Sequence, residues 1–444
     1  MSLATPFGRR IAGVFATRVA RFVIGFGTSF LLARVLMPEG RGQYALLTII
    51  PAMLMALGQL GLPSAMSFFA GRGRSIAALQ RLGILLTAAL SVVLVGGTLL
   101  LLPWLTATVL EPAPQDLLIV SLASLPFQFL AAFAGSTLIG RQRLRNYNLI
   151  LVAQSILMLV LVLILVGAFH LGVLGAVIAY ASVAVLAAIA TSVELLRAVR
   201  EERGAPAPGI GLSQVLGYGV RIYPASVTGY FSYRSDVIIL SALLGDATAI
   251  GLYTFAVSLA ELTFFVPDSV STVFYPRVAS MDRDAADALA PQVCRFTVLI
   301  TALSVLLLIP AAFVAVIVIL PDYQGSIAPF LVIMPGIVAL SVSKVLAGYI
   351  GGLGLPLSVA GASSANLAIN IAANLLLIPV LGIVGAALAS LISYATHATL
   401  LVLVAARLSR RRPLAYVIPT RAELARLTDG LRALAGRLRR QSAA

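Results

Sequence analysis

The stretch Arg221–Leu240 reads RIYPASVTGYFSYRSDVIIL. It has the length of a bilayer crossing, because about 20 residues rising ~1.5 Å each cover the ~30 Å hydrocarbon core. Yet it carries Arg221, Arg234 and Asp236 among apolar and aromatic residues. A charge at the centre of a spanning helix costs at least roughly 2.5 kcal/mol, so it faces a partner or a cavity rather than lipid. Such a helix belongs inside a bundle of others.

The chain around it has 444 residues, 60% hydrophobic and 11% charged, with a mean hydropathy of +1.04. Soluble domains are about 25% charged, so this composition reads as an integral membrane protein. No long polar segment remains for a soluble domain. The first apolar run is too long, and lacks the small-residue site, for a cleavable signal peptide. The single cysteine, Cys294, reads as a buried structural thiol. The positive charge is carried by 30 Arg and one Lys, Lys344, for a net +15. Its position in short loops and a C-terminal tail follows the positive-inside rule and does not point to nucleic acid.

Outward from the opening stretch, twelve helices are expected, at 11–36, 43–69, 82–102, 116–139, 147–168, 172–196, 213–244, 249–276, 293–320, 326–350, 356–379 and 382–406. Arg9 and Arg10 precede the first. Alternate loops then carry Arg72, Arg74 and Arg81; Arg141, Arg143 and Arg145; Arg197, Arg200 and Arg203; Arg277, Arg283 and Arg295; and Arg407 with Arg410 to Arg412. The other loops carry Glu39, Arg41, Glu111, Asp116, Asp246 and Asp322. This asymmetry predicts a multi-pass membrane protein with both termini cytoplasmic. The outer loops are too short for an external domain.

Two strings recur at nearly one offset. LGVLGAVIA at Leu171–Ala179 resembles LGIVGAALA at Leu381–Ala389, and LMPEGRGQY ending at Tyr44 resembles LLGDATAIGLY ending at Tyr253. A repeat unit of six helices enters the membrane in the same direction each time. The expected architecture is therefore all-α, with two parallel six-helix lobes around a central cavity. The lobes are 1–196 and 213–407, joined by a cytoplasmic linker at 197–212. In the tail, 408–444, Leu424, Leu427, Leu431, Leu434 and Leu438 share one helical face among arginines, as expected of a basic amphipathic helix on the inner leaflet. A coiled-coil contact and a solvated tail are the alternatives.

No phosphate-binding loop, zinc-protease or nucleophile-elbow motif is present, and His170 and His397 lack metal-ligand spacing. No cofactor, metal or enzymatic activity is expected, so energy comes from an ion gradient, the membrane potential or the substrate gradient. Nine ionisable residues fall inside the expected helices: Arg18, Arg21, Arg221, Arg234, Asp236, Glu261, Asp268, Lys344 and His397. Each alone reads as a buried pair or a snorkelling side chain. As a set, five cations against three carboxylates suit an anionic ligand, for which planar Arg is a good phosphate partner. Arg234 and Asp236, two apart, point to different faces and need different partners. Tyr218, Tyr223, Tyr230, Phe231 and Tyr233 suit either sugar faces or core. Asn366, Asn370 and Asn374 form a polar stripe that lines a cavity or bonds across helices.

At Leu32–Tyr44, LARVLMPEGRGQY, the chain resembles the signature of polysaccharide-exporting flippases, members of the multidrug/oligosaccharidyl-lipid/polysaccharide transporter superfamily. Further pieces match in order: GLPSA at 61–65, the DVIILSALLG segment from Asp236 followed by GLYTFA at 251–256, FYPRVAS at 274–280 and NLLLIPVLGIVGAALAS at 374–390. The basic residue that often follows GLPSA in the family is replaced here by Ser67 and Phe68. Lipid II flippases usually have fourteen helices, which argues against that branch.

The resemblance implies two lobes opening alternately to each side, and undecaprenyl-pyrophosphate-linked sugars moved from the inner to the outer leaflet for surface polysaccharide. Arg18, Arg21, Arg221, Arg234, Lys344, Asn366 and Asn370 are the expected substrate-binding residues, and Asp236, Glu261 and Asp268 the expected gating or ion-coupling residues. Expected partners are membrane lipids, the lipid-linked oligosaccharide and the polymerase and glycosyltransferases of its pathway, with the chain itself a monomer. Competing readings are a cation-coupled drug exporter, a membrane polymerase or ligase, and a non-transporting scaffold.

Overall fold

The structure, a computed structural model, describes residues 6–202, 208–420 and Glu423, excepting the side chains of 6–16, 222, 225 and 226. The leucine-rich tail positions from Leu424 onward, and Arg203 in the linker, lie outside the described residues. Helices are the only regular elements among those described. Apolar runs in a bilayer satisfy every backbone N–H and C=O within a helix, which strands can do only as closed barrels.

Among the described residues, nine helices are long and apolar enough to cross a membrane. Two of them, Thr17–Gly58 and Pro356–Ser409, hold 42 and 54 residues and so make two crossings each about a break. Leu212–Leu244, with its three central charges, supplies a further crossing. The described residues thus form an all-α, multi-pass membrane protein with twelve crossings in two six-helix lobes.

The first lobe holds α1 (6–36), α2 (38–58, continued by Leu62–Gly71), α3 (Ile76–Leu100), α4 (Gln115–Gly140), α5 (Leu144–Ala168) and α6 (Gly172–Glu201). The second holds α7 (Leu212–Leu244), α8 (Ala247–Ala279), α9 (Arg283–Ile319), α10 (Pro321–Gly352), α11 (356–381) and α12 (383–409). One end of the bundle carries the arginine-rich loops and the other the acidic ones; they are the basic and acidic ends below.

Several boundaries differ from the sequence reading. The α1–α2 loop is a single broken residue, Met37 (φ 58, ψ 172), because Pro38 disfavours helical backbone in the residue before it. The α11–α12 loop is likewise Gly382 (φ 57, ψ −133), a conformation glycine adopts without a Cβ clash. Arg41, read as a loop residue, is helical and 6% exposed. α9 begins at Arg283, ahead of the expected start at 293, so Arg283 is helical rather than in the loop. Residues 197–201, read as linker, continue α6. After α12 the chain turns back: Tyr416 is fully buried against the second lobe, its ring packed in one core with Cys294 and Tyr349.

The two repeats meet at the acidic end. A Cβ on Gly42 would overlap the Ala247 carbonyl, and a Cβ on Gly251 the Pro38 carbonyl. These are one contact made twice, since 42 and 251, like 38 and 247, differ by the offset seen in the sequence. Gly172 and Gly382, 210 apart, both take a positive φ at the last hairpin of their lobes. Further bonds tie the lobes at this end: Tyr323 donates to the Ala33 carbonyl at 3.0 Å, and Ser241 to the Val109 carbonyl.

The basic end is held differently. Along the α2–α7 seam, backbones touch at Gly61 and Gly219, and Tyr223 donates to the Leu57 carbonyl at 2.8 Å. Along the α1–α8 seam, side chains meet: Phe22 against Phe265, ring centroids 5.4 Å apart, and Arg18 Nη1 donating to Thr272 Oγ1 at 3.0 Å.

Candidate substrate cavity

Two neighbouring cavities lie between the lobes. The one nearer the basic end, about 490 Å³, runs along the α1–α8 seam and is lined by Arg18, Arg21, Glu261 and Asp268. The deeper one, about 610 Å³, is lined by Arg41, Tyr44, Tyr180, Tyr230, Tyr233, Arg234 and Asp236. Gly25, Ser29 and Ser258 border both, so these residues form a waist between them.

Helical spacing puts the charges there. Arg18 and Arg21 share a face of α1, as Glu261 and Asp268 do on α8. At Glu261–Phe264 the α8 backbone tightens to a 3-10 turn, a departure often found at a hinge or functional site. Arg234 on α7 reaches Glu261, its Nη2 3.1 Å from both carboxylate oxygens. Lys344 on α10 sits 2.6 Å from Asp268 Oδ1 and 4.0 Å from the Phe264 ring centroid.

Arg234 and Asp236 take different partners, as their spacing requires. Asp236 is 5% exposed. Its Oδ1 accepts from the Val237 N–H at 2.8 Å and its Oδ2 from the Tyr253 hydroxyl. No cation pairs with it among the described residues. Across the two cavities and Lys344 beside them, five cations (Arg18, Arg21, Arg41, Arg234, Lys344) face three carboxylates (Asp236, Glu261, Asp268). Two of the carboxylates are already paired. Arg18 and Arg21 have no carboxylate partner among the described residues and present their charge to the space along the seam.

Three expected site residues sit elsewhere. Arg221 is exposed on α7 and borders neither cavity. Asn370 is buried inside the second lobe, accepting from Ser235 at 3.1 Å and from Asn374 at 3.1 Å; it bonds α7 to α11. Asn366 accepts from Ser393 at 2.7 Å and edges a separate pocket of about 150 Å³ with Lys344 and His397. The asparagine stripe thus faces α7 and α12 inside the second lobe, where Asn370 Oδ1 and Asn366 Oδ1 are bonded while Asn370 Nδ2 and Asn374 Oδ1 are buried without a partner. Of the α7 aromatics, Tyr230 and Tyr233 line the deep cavity, Tyr218 stacks on Phe68 at 4.5 Å, and Tyr223 holds the α2–α7 seam.

Arg41 is the site residue the sequence reading missed. The repeat held the signal: its counterpart at the offset of 209 is Ile250, which is fully buried.

Residues 9–282, well over half of the chain, match the family described as "Polysaccharide biosynthesis protein". No curated protein matches by sequence. Among solved structures, the chain is similar to "Lipid II flippase MurJ, inward closed conformation", with 15% identity, 89% of this chain and 87% of that one covered, and a TM-score of 0.71. It is also similar to a structure of the "MATE multidrug transporter DinF-BH", at 17% identity, 91% and 96% coverage and a TM-score of 0.67. An "Inward-facing conformation of a multidrug resistance MATE family transporter of the MOP superfamily" gives 16%, 91%, 94% and 0.61. At these identities the likeness is one of fold.

Proposed function

The chain belongs to the polysaccharide biosynthesis protein family, and on that premise we propose that it is a flippase for undecaprenyl-pyrophosphate-linked oligosaccharides. The basic end faces the cytoplasm. Arg18 and Arg21, without a carboxylate partner among the described residues and set along the α1–α8 seam, capture the pyrophosphate from the inner leaflet. Arg234 and Lys344 exchange their carboxylate partners as the headgroup enters, while Tyr230 and Tyr233 offer ring faces to sugars. The α1–α8 seam then closes fully, and the Gly42–Gly251 seal parts to release the headgroup outward. Asp236, a buried carboxylate without a cation of its own, carries the coupling ion or proton.

The observation that supports this reading is the excess of cations over carboxylates in and beside a cavity between two pseudo-symmetric lobes. Confined positive charge in low dielectric favours an anionic ligand. The test is export of surface polysaccharide in cells that depend on this chain. Replacing Arg18 and Arg21 together by Ala abolishes export while the protein remains in the membrane; full export by that variant contradicts the assignment.

A second reading, export of cationic drugs, draws on Asp236 standing near Tyr44, Tyr180, Tyr230 and Tyr233. It predicts drug resistance on expression that Asp236→Asn removes.

A further inference from the structure

Arg41 stands at the waist between the two cavities. It is 6% exposed. Its Nη1 donates to the Ser29 carbonyl at 2.8 Å, and its Nη2 donates to Ser29 Oγ at 3.0 Å and to Ser258 Oγ at 3.1 Å. Its charge centre lies 5.2 Å from the Phe255 ring centroid. Its Nε is buried with no hydrogen-bond partner, and no carboxylate pairs with it among the described residues. Ser29 belongs to the first lobe and Ser258 to the second. One guanidinium on the wall of the deep cavity therefore joins the lobes through two of the residues that border both cavities.

A buried guanidinium bonded only to neutral oxygens, with one donor idle, is a poor resting place for a charge. Phosphate oxygens accept in charge-assisted bonds roughly twice as strong as neutral ones, and guanidinium offers them a bidentate fork. An anion reaching the waist thus competes with Ser258 for the same N–H groups.

Resting on the transport reading above, we propose that Arg41 is an anion-operated latch: it binds a pyrophosphate-class group at the waist and thereby gives up Ser258, freeing the lobes to part at the acidic end. The ligand chemistry is a pyrophosphate, whether free or on a prenyl chain.

The test uses the full chain in phosphatidylcholine vesicles with farnesyl pyrophosphate or inorganic pyrophosphate as probes. Binding is measured together with labelling of Thr254→Cys by a membrane-impermeant maleimide from the acidic side. Native Cys294 is fully buried and needs no removal. Farnesyl pyrophosphate raises the labelling. Arg41→Ala weakens its binding by about 10- to 100-fold and abolishes the labelling response. Ser258→Ala acts in the opposite direction, tightening binding and raising labelling without ligand, because the competing bond is gone. A response to inorganic pyrophosphate as well supports the latch and assigns recognition to the diphosphate alone. A response to neither probe overturns it, as does Ser258→Ala weakening binding as Arg41→Ala does, which marks a merely structural bridge. Leaflet transfer that persists in Arg41→Ala defeats the latch and leaves the flippase reading standing. Ligand response without any leaflet transfer by the native chain does the reverse.

Discussion

Gly42 and Gly251, 209 residues apart, pack reciprocally at the acidic end: Gly42 lies on the Ala247 carbonyl and Gly251 on the Pro38 carbonyl. No side chain fits at either position without separating α2 from α8. A leucine at Gly42 therefore overpacks the closed seal by about 1–3 kcal/mol and shifts the protein toward a state open at that end. Maleimide labelling of Thr254→Cys from the acidic side rises in Gly42→Leu and transport falls. Labelling equal to that of the native chain would show that the seal lies elsewhere.

Arg234 and Glu261 form an ion pair on the cavity wall. Glu261→Gln and Arg234→Gln each lower polysaccharide export. Since residues in direct contact couple by about 0.5–3 kcal/mol, the double change loses less than the product of the two single losses. Strictly multiplicative losses in export would mean that the pair does not act as a unit.

For Asp236 the expectation concerns energy input. Asp236→Asn keeps the Tyr253 hydroxyl within reach of a neutral acceptor, so the fold survives, but it removes the buried negative charge. Transport by reconstituted protein then no longer responds to an imposed ion or proton gradient, whereas Asp236→Glu retains a response. An unchanged gradient response in Asp236→Asn moves the coupling role to another residue.

Outside the membrane, Glu423 clamps the returning C-terminal segment: both its oxygens lie 2.8 Å from Arg295 nitrogens. The Arg295 guanidinium holds the Glu423 carboxyl down to about 2, against an ordinary value of 4.5. A lowered folded-state value means the clamp is at full strength above pH 4.5 and is lost as pH falls toward 2. A spin label on Ile418→Cys, an exposed position, therefore stays slow from pH 8 to pH 5 and becomes mobile only as the pH approaches 2. In Glu423→Gln it is mobile throughout; a label equally slow in that variant removes the clamp from the account.

Much of the fold was legible because a bilayer imposes few solutions: long apolar runs give helices, and matching strings give the two lobes. The LMPEGRGQY string misled for a local reason. Its Pro, Gly and charged residues read as a loop, while the backbone breaks only at Met37 and Arg41 is buried by α8, two hundred residues away. The grouping of Arg18, Arg21, Glu261 and Asp268 followed from residue type and spacing on α1 and α8. Their division into paired and unpaired cations did not, because Lys344 reaches Asp268 from α10 and Arg234 reaches Glu261 from α7. Asn370 and Asn374 were ambiguous for the same reason: a polar stripe looks alike whether it faces a cavity or a neighbouring helix such as α7, where Ser235 is the partner.

Movement of an anionic lipid-linked saccharide between leaflets is measured as transfer across vesicle membranes. A fluorescent undecaprenyl-pyrophosphate-linked oligosaccharide is placed in vesicles with and without the purified chain, and its loss from the outer leaflet's quencher-accessible pool is followed in time. Transfer is faster with the native chain and proceeds at the protein-free rate with Arg18→Ala/Arg21→Ala. A native chain that leaves the rate at that of empty vesicles, under an ion gradient of either sign, contradicts the flippase reading.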